Sequence, residues 1–239
     1  MFDRCAASRL VTFAPLIILA ISWPYSGSVA GSLLPTITMV GAVMVGVDLL
    51  KSMSRTASQQ PRKPSSLVPT NIFTTYLSSA SEAWKKEFGA ATTISWPAGQ
   101  GGKGNEGVTA TVKQVPNAIG YVESAYAKQN KLAYALIQNK AGKFPQPDDK
   151  AFQAAAASAD WKSAPGFGIA LTNQGGDDAW PITAATFILV HKEAADPAKS
   201  AAVLKFFDWA YKNGDKLASD LDYVPLPDNV VGLIHEEWK

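Results

Sequence analysis

From Ile72 to Lys239 the chain alternates between segments with helical spacing and short runs of branched and aromatic residues, and this alternation constrains the fold more than any other feature. Apolar residues recur every three or four positions from Ile72 onward, which predicts a helix that ends at Gly89. Short strands are predicted at Thr93–Trp96 and Ile119–Glu123. Helices and strands in alternation predict an α/β fold with a mostly parallel sheet.

The later helices carry recognisable start signals. Asp196 and Pro197 combine a capping carboxylate with a proline suited to the first helical turn. The same kinds of pattern predict the remaining elements, which are a helix at 106–114, strands at Leu132–Ile137 and Phe187–His191, a helix at 150–159, a helix from Asp196 that Gly214 interrupts, and a last helix from Pro227 to Lys239.

The first sixty residues differ in character from this regular part. Arg4 and Arg9 precede an apolar run, Leu10–Ile21, and Ser28-Val-Ala30 follows with small residues. A basic start, a short apolar core and a small-residue site are typical of a signal peptide, with cleavage after Ala30.

A second apolar stretch, Leu33–Leu50, allows two other interpretations of residues 1–50. It has about the minimum length of a transmembrane helix, but the basic residues that follow it would hold its C-terminal end in the cytoplasm. Alternatively, this segment is not native to the fold that follows. Residues 51–69 are polar and rich in proline and serine, which indicates a linker.

Composition and charge limit the classes of function. The chain is 47% hydrophobic with a net charge of +2 and scattered basic residues, so no nucleic-acid partner is expected. Cys5 is the single cysteine, and His191 and His235 are the two histidines, each placed in an apolar or helical pattern. We therefore expect no metal site, no cofactor and no catalysis.

The glycine-rich segment Gly99–Gly107 (the glycine loop) needs separate consideration. Gly101-Gly-Lys-Gly104 before a helix could hold an anion, with Lys103 as a point charge. It does not have the spacing of a P-loop, because Gly104 follows Lys103. The interpretation we favour is a tight turn that packs the following helix closely on the sheet. The aspartates at 160, 177, 178, 220 and 222 are expected to cap helices and turns.

Seven runs of residues follow one another in a specific order from about residue 70 to the end. They are Phe73-Thr-Thr-Tyr-Leu-Ser78, Trp96-Pro-Ala-Gly-Gln-Gly-Gly-Lys-Gly-Asn-Glu-Gly107, Ile119-Gly-Tyr-Val-Glu-Ser-Ala-Tyr126, Thr172-Asn-Gln174, Asp178-Ala-Trp-Pro-Ile-Thr183, Val203-Leu-Lys-Phe-Phe-Asp-Trp-Ala-Tyr211 and Asp220-Leu-Asp-Tyr-Val-Pro-Leu-Pro-Asp228. Together, and in this order, they resemble the phosphate-binding proteins of the PstS family.

The resemblance implies an α/β, periplasmic-binding-protein-like fold of the two-lobed type II, present only in part. Residues 70–185 would form most of the second lobe, and residues 186–239 would form the returning part of the first lobe. Residues 1–60, which include the hydrophobic segment 1–50 and the start of the linker at 51–69, do not resemble that family.

The family loop that supplies phosphate donors is degenerate in this chain. The family has Arg-x-Asp-Gly-Ser-Gly-Thr before the helix, where this chain has Lys63-Pro-Ser-Ser-Leu-Val-Pro69. Leu67, Val68 and Pro69 replace the Ser-Gly-Thr donors, and proline has no N–H. The residues left as candidate phosphate ligands, around a helix N-terminus near Thr70, are Lys63, Ser65, Ser66, Thr70 and Asn71.

The implied function is that of the substrate-binding component of a phosphate ABC importer, truncated and with weakened or lost ligand binding. Its implied partners are inorganic phosphate and the membrane permease and ATPase subunits of the importer. We expect it in the periplasm, or exported and anchored through residues 10–50. The alternative is a membrane-tethered structural remnant that binds no phosphate.

Overall fold

The computed structural model describes residues 8–9, 17–21, 56–59, 67–96, 99–191 and 195–239. The strands are β1 (Ser8–Arg9), β2 (Ile17–Ile21), β3 (Thr56–Gln59), β4 (Gln100–Gly102), β5 (Ile119–Glu123), β6 (Ala133–Tyr134) and β7 (Val190–His191). The α-helices are α1 (Leu67–Ala80), α2 (Glu82–Glu87), α3 (Gly104–Gln114), α4 (Ser124–Gln129), α5 (Asp149–Ala157), α6 (Pro197–Asn213), α7 (Asp215–Asp220) and α8 (Asp228–Glu237), with 3-10 turns at Trp161–Ser163 and Pro165–Phe167.

Five of the described strands form one mixed sheet in the order β4-β3-β5-β2-β6. β3 pairs parallel with both β4 and β5, whereas β2 pairs antiparallel with β5 and β6. Four strands therefore run in one direction, as the alternation predicted. The prediction of a mostly parallel sheet is nevertheless only half right. β2 lies between β5 and β6 and runs in the opposite direction, so two of the four strand pairings are antiparallel.

β2 comes from the apolar run that was predicted as the core of a signal peptide. Its register is Ile17 opposite Glu123 through Ile21 opposite Ile119. Most of residues 1–50 lies outside the described residues, including the candidate membrane span Leu33–Leu50, so the signal-peptide and anchor interpretations stay predictions. None of the described helices combines the length and hydropathy needed to cross a membrane.

The helix predicted from Ile72 to Gly89 is two helices. α1 already begins at Leu67, and the chain leaves helical geometry at Ser81 (φ −141°, ψ 114°). The Ser81 hydroxyl accepts a hydrogen bond from the Trp84 N–H at 3.2 Å, so it caps α2. This local hydrogen bond stabilises the start of α2 at Ser81, so α1 ends there instead of continuing to Gly89.

The helices predicted in the C-terminal part are confirmed, with small shifts at their ends. The Asp196 side chain accepts from the Lys199 N–H at 3.0 Å, and Pro197 occupies the first turn of α6. α6 ends before Gly214, as predicted, and α7 follows.

The predicted strands are mostly shorter than their apolar runs. Leu132–Ile137 contributes only β6, Phe187–His191 contributes only β7, and Thr93–Trp96 has no regular structure. β5 alone matches its prediction in full. A strand forms only where a partner backbone completes its hydrogen bonds, and the residue pattern does not contain that information.

Three clusters of buried apolar side chains stabilise the described part of the chain. One lies beneath α1 and β5 and includes Tyr76, Tyr121 and Trp180. A second joins α8, through Ile234, to the segment around Trp161. A third cluster packs α3 on β5 through valines and an alanine, namely Val108, Val112, Val122 and Ala127.

Candidate phosphate-binding site

The predicted ligand residues cluster around the start of α1. Lys63, Ser65 and Ser66 lie outside the described residues. Thr70 and Asn71 lie in α1, three and four residues after its first residue, Leu67. The helix N-terminus is therefore three residues earlier than predicted, and the Asn71 N–H belongs to the helix's own hydrogen-bonding pattern.

The start of α1 has the charge of an anion site but few donors. No acidic side chain stands in its first turn, so the positive end of the helix dipole is not compensated locally. The first four residues of a helix normally offer four unpaired N–H groups. Pro69 is the third residue of α1 and has no N–H, which leaves three.

The Thr70 side chain is directed into the protein. Its hydroxyl lies 2.9 Å from the Tyr121 hydroxyl, and each residue is 1% exposed. This hydrogen bond connects the first turns of α1 to β5 in the centre of the sheet. Because Thr70 is buried, its hydroxyl does not face the solvent at the start of α1.

Thr74, one turn later, connects α1 to the chain beyond α2. Its Oγ1 accepts from the Ala91 N–H at 3.0 Å. The same hydroxyl can donate its one proton to the carbonyl oxygen of Thr70, Asn71 or Ala91, at 2.9, 3.1 and 3.0 Å. Thr74 is fully buried, so this hydroxyl also has a structural role.

Aromatic rings support α1 from below. Phe73 stacks on Tyr121 with ring centroids 4.6 Å apart, and Trp96 contacts both rings at 6.3 and 5.8 Å. Burial raises the pKa of the neighbouring Tyr76 to about 12. Phe73 and the buried Tyr76 therefore hold α1 on the sheet through aromatic packing around Tyr121.

The glycine loop packs as predicted. A Cβ on Gly102 would lie 2.5 Å from the Val108 backbone nitrogen, and one on Gly107 would lie 3.1 Å from the Gly102 carbonyl carbon. β4 and α3 thus approach each other more closely than any side chain would permit. This confirms the interpretation of the loop as a close packing device.

The acidic surroundings of α3 disfavour an anion at the glycine loop. Glu106 stands in the first turn of α3 and accepts a hydrogen bond from the Tyr126 hydroxyl at 2.9 Å. Burial raises the pKa of the nearby Glu123 carboxyl, and the charge of Glu106 adds to that rise. A phosphate at this helix start would be repelled by Glu106.

The other polar candidates occupy structural positions. The His235 Nε2 lies 3.3 Å from Asp208 Oδ1, and its ring contacts those of Tyr211 and Trp238. Asp160 caps the turn Trp161–Ser163, as expected. Across the part of the chain that the structure describes, no three His, Cys, Asp or Glu side chains lie together as a metal site would require.

Asn139 is a structural centre that sequence analysis did not identify. Its Nδ2 lies within hydrogen-bond distance of the carbonyl oxygens of Gly176, Asp177 and Ala179, at 3.3, 2.7 and 3.1 Å. Its Oδ1 accepts from the N–H groups of Ala141 and Lys143. A single asparagine after an apolar run gives no sequence signal that separates this role from an ordinary turn.

Comparison with known proteins relates most of the chain to one group of binding proteins. Over 167 residues, 70% of this chain, the sequence is 56% identical to the phosphate-binding protein PstS of Pasteurella multocida. It is 51% identical over 167 residues to the protein of that name from Haemophilus influenzae, and 39% identical over 183 residues to that of Methanocaldococcus jannaschii. No protein-family model matches the sequence.

The match covers only part of each relative. The chain spans 48% of the Pasteurella protein, 50% of the Haemophilus protein and 46% of the Methanocaldococcus protein, which is about half of their length. The alignment with the Pasteurella protein covers 70% of this chain, and the rest of the chain is not aligned with it.

A solved structure shows the same fold. It is a high-affinity periplasmic phosphate-binding protein bound with phosphate, and it superposes with a TM-score of 0.55 at 17% identity. The superposition covers 92% of this chain and 68% of that one. The prediction of an incomplete periplasmic-binding-protein fold is confirmed.

Proposed function

We propose that this chain, which over 70% of its length is a relative of the phosphate-binding proteins PstS, is the ligand-binding component of a phosphate importer with weakened or lost phosphate binding. The observation that carries the proposal is the 56% identity to a protein named for phosphate binding, over the whole matched part. The chain would bind and deliver an anion and would not catalyse a reaction.

The geometry of α1 supports the weakened binding. A phosphate site needs several converging donors, supplied by N–H groups at a helix start, hydroxyls and a guanidinium. Here Pro69 lacks an N–H group, and the Thr70 hydroxyl is hydrogen-bonded to the Tyr121 hydroxyl in the interior. Lys63 would supply a point charge in place of the fork of an arginine.

The site that we propose keeps the predicted ligands in reduced roles. Lys63, Ser65 and Ser66 would provide the charge and hydroxyls. Asn71 is half-buried near the start of α1 and could contribute its side-chain amide. Thr70 would act mainly by positioning the helix.

Location, partners and division into domains follow from the same family relationship. We propose that the chain acts in the periplasm with the permease and ATPase subunits of an importer. Residues 70–185 would form the second-lobe domain, and residues 186–239 would belong to the first lobe, preceded by a hydrophobic segment at 1–50 and a linker at 51–69.

The competing function is a membrane-tethered structural remnant that binds no ligand. The apolar stretch Leu33–Leu50 favours it, because its length is about the minimum for a span. Recovery of the full chain with membranes after washing at high pH, together with no phosphate binding, would support this function over the receptor.

Calorimetric titration of the purified full chain with inorganic phosphate tests the proposal, with sulfate as the matched control anion. We expect phosphate-selective heat with a dissociation constant weaker than about 0.1 mM. A lower dissociation constant would show that the changed loop residues do not weaken phosphate binding. Equal responses to phosphate and sulfate, or none to either, would overturn retained phosphate binding and would leave only the structural remnant.

A further inference from the structure

One asparagine of the chain is followed directly by a glycine. Asn213 and Gly214 form the single Asn-Gly pair of the sequence, and every other asparagine precedes a residue that carries a side chain. The backbone around a glycine is less restricted, because no Cβ hinders it. The Gly214 nitrogen is therefore the backbone nitrogen that can most readily attack the side chain of a preceding asparagine.

The connection between two helices requires the glycine of this pair. Gly214 lies between α6, which ends at Asn213, and α7, which begins at Asp215. A Cβ on Gly214 would clash with the carbonyl oxygen of Ala210, one turn earlier. A larger residue would therefore separate the two helices, and the fold keeps a glycine directly after Asn213.

The last turn of α6 holds both groups that would react. The exposed Asn213 side chain donates from Nδ2 to the Trp209 carbonyl oxygen at 2.9 Å. The Gly214 N–H donates to the Ala210 carbonyl oxygen at 2.7 Å. Attack of the Gly214 nitrogen on the Asn213 side chain requires both hydrogen bonds to break. The intact helix end therefore protects Asn213.

The end of α6 has the properties of a segment that opens locally. None of the residues of α6 is buried, and the hydrogen bond of the Asn213 amide is exposed to solvent. Helix ends fray, and segments with few buried contacts open at a small cost in free energy. Each such opening releases the Asn213 amide and the Gly214 N–H together.

We propose that Asn213 is a site of spontaneous deamidation and that opening of the last turn of α6 controls its rate. The Gly214 nitrogen attacks the Asn213 Cγ, so that a new C–N bond closes a succinimide ring and the Cγ–Nδ2 bond breaks. The proton of the Gly214 N–H leaves with the side-chain nitrogen as ammonia. Water then opens the ring at either carbonyl carbon, which yields aspartate or isoaspartate at position 213.

Both products would weaken the connection between α6 and α7. A carboxylate only accepts hydrogen bonds, so the bond to the Trp209 carbonyl oxygen is lost. Its negative charge lies at the C-terminal end of α6, where the helix dipole disfavours an anion. Isoaspartate also inserts a methylene group into the backbone before Gly214, which displaces the hydrogen bond between Gly214 and Ala210.

Asn117 is the matched internal control for the effect of the glycine. It is exposed, as Asn213 is, and it lies between α3 and β5. The next residue, Ala118, carries a Cβ that hinders the approach of its nitrogen. Asn117 therefore offers the same side chain without the unhindered nucleophile.

Incubation of the purified full chain in mildly alkaline buffer, with and without urea, tests the proposal. Peptide mapping by mass spectrometry measures the converted fraction of each asparagine, because deamidation replaces an NH2 group by OH. In urea, Asn213 should convert about tenfold or more faster than Asn117. In the folded chain, Asn213 should still convert, but about tenfold or more slowly than in urea, because opening must come first.

Two variants separate the chemistry from the opening. Asn213→Gln keeps a side-chain amide but cannot form the succinimide ring, so no product should appear at position 213. Ala210→Gly weakens the last turn of α6 and should accelerate conversion of Asn213 about fivefold in the folded chain and not at all in urea. Hydrogen exchange of the Gly214 amide measures the opening in the unchanged chain and should exceed conversion in rate.

Three results would each overturn the proposal. The first is no product at position 213 in the folded chain once the sample in urea has been converted. The second is equal conversion of Asn213 in the folded and the unfolded chain. The third is conversion of Asn117 as fast as that of Asn213 in urea.

Discussion

The Thr70 and Tyr121 hydroxyls lie 2.9 Å apart in the protein interior, where they connect α1 to the central strand β5. The bond spans 51 positions of the sequence and both residues are 1% exposed. It places the first predicted ligand side chain of α1 on the sheet side of the helix. The start of α1 is therefore held rigidly, while its hydroxyl is withdrawn from any ligand.

Removal of this bond should destabilise the fold. Thr70→Val keeps the shape of the side chain and leaves the Tyr121 hydroxyl buried without this partner, which costs about 1–3 kcal/mol. Urea unfolding followed by tryptophan fluorescence measures the change in the free energy of unfolding. Thr75→Val, at a half-buried position on the same helix, is the control and should change it by less than about 0.5 kcal/mol. Equal effects of the two substitutions would contradict a special role for Thr70.

Replacement by alanine should have opposite effects on stability at two glycines, Gly102 of the glycine loop and Gly232 of α8. Gly102→Ala would place a Cβ 2.5 Å from the Val108 nitrogen, so we expect a loss of about 1–3 kcal/mol in the free energy of unfolding. Gly232 lies inside α8 with no atom within 4 Å of an added Cβ. Gly232→Ala should therefore stabilise the chain by about 0.5–1 kcal/mol. Thermal unfolding of both variants measures these changes. A Gly102→Ala variant as stable as the unchanged chain would contradict the close packing of β4 on α3.

Asn139 should be as important to stability as a core residue. Asn139→Ala removes an amide that donates to the carbonyl oxygens of Asp177 and Ala179 and accepts from two backbone N–H groups, and we expect a loss of about 2–4 kcal/mol. Asn213→Ala is the control, because its exposed side chain makes one bond, to the Trp209 carbonyl. Chemical denaturation of the two variants should differ by more than about 1 kcal/mol. Similar stabilities would show that the amide network contributes little.

Because the pKa of Tyr76 is raised, we expect the free energy of unfolding to fall at alkaline pH. Burial raises its pKa in the folded chain to about 12 from 10.0. The unfolded chain therefore releases the phenol proton first, and the contribution of Tyr76 to stability falls as the pH rises from 10 toward 12. Between pH 9 and pH 11 the chain should lose about 1 kcal/mol more than its Tyr76→Phe variant. Parallel losses in both proteins would contradict the shifted pKa.

Local residue signals account for much of the fold. Asp196-Pro197 identified the start of α6, and the branched run Ile119–Glu123 identified β5, because caps and strand propensity act within a few residues. The break at Ser81 was missed, since a serine inside an apolar helical pattern can also remain helical. The inverted strand β2 was missed because pairing depends on distant backbone that periodicity does not encode.

The chemistry of the candidate site stays a prediction. It is the resemblance to the PstS family that implies the replacement of donors by Leu67, Val68 and Pro69. The direction of the Thr70 side chain could not be predicted, because it depends on where α1 begins and on the position of Tyr121. A shift of three residues at a helix start moves each side chain by most of a turn.

The central claim is that this chain keeps the scaffold of a phosphate receptor and lacks its donors. The most direct measurement compares phosphate titration of the unchanged chain with that of a variant in which the loop is restored through Lys63→Arg, Ser65→Asp, Ser66→Gly, Leu67→Ser, Val68→Gly and Pro69→Thr. The restored N–H groups, hydroxyls and arginine fork should tighten phosphate binding by about tenfold or more, since charge-assisted hydrogen bonds contribute about 1.5–3 kcal/mol each. Equal affinities of the two folded proteins would contradict the claim.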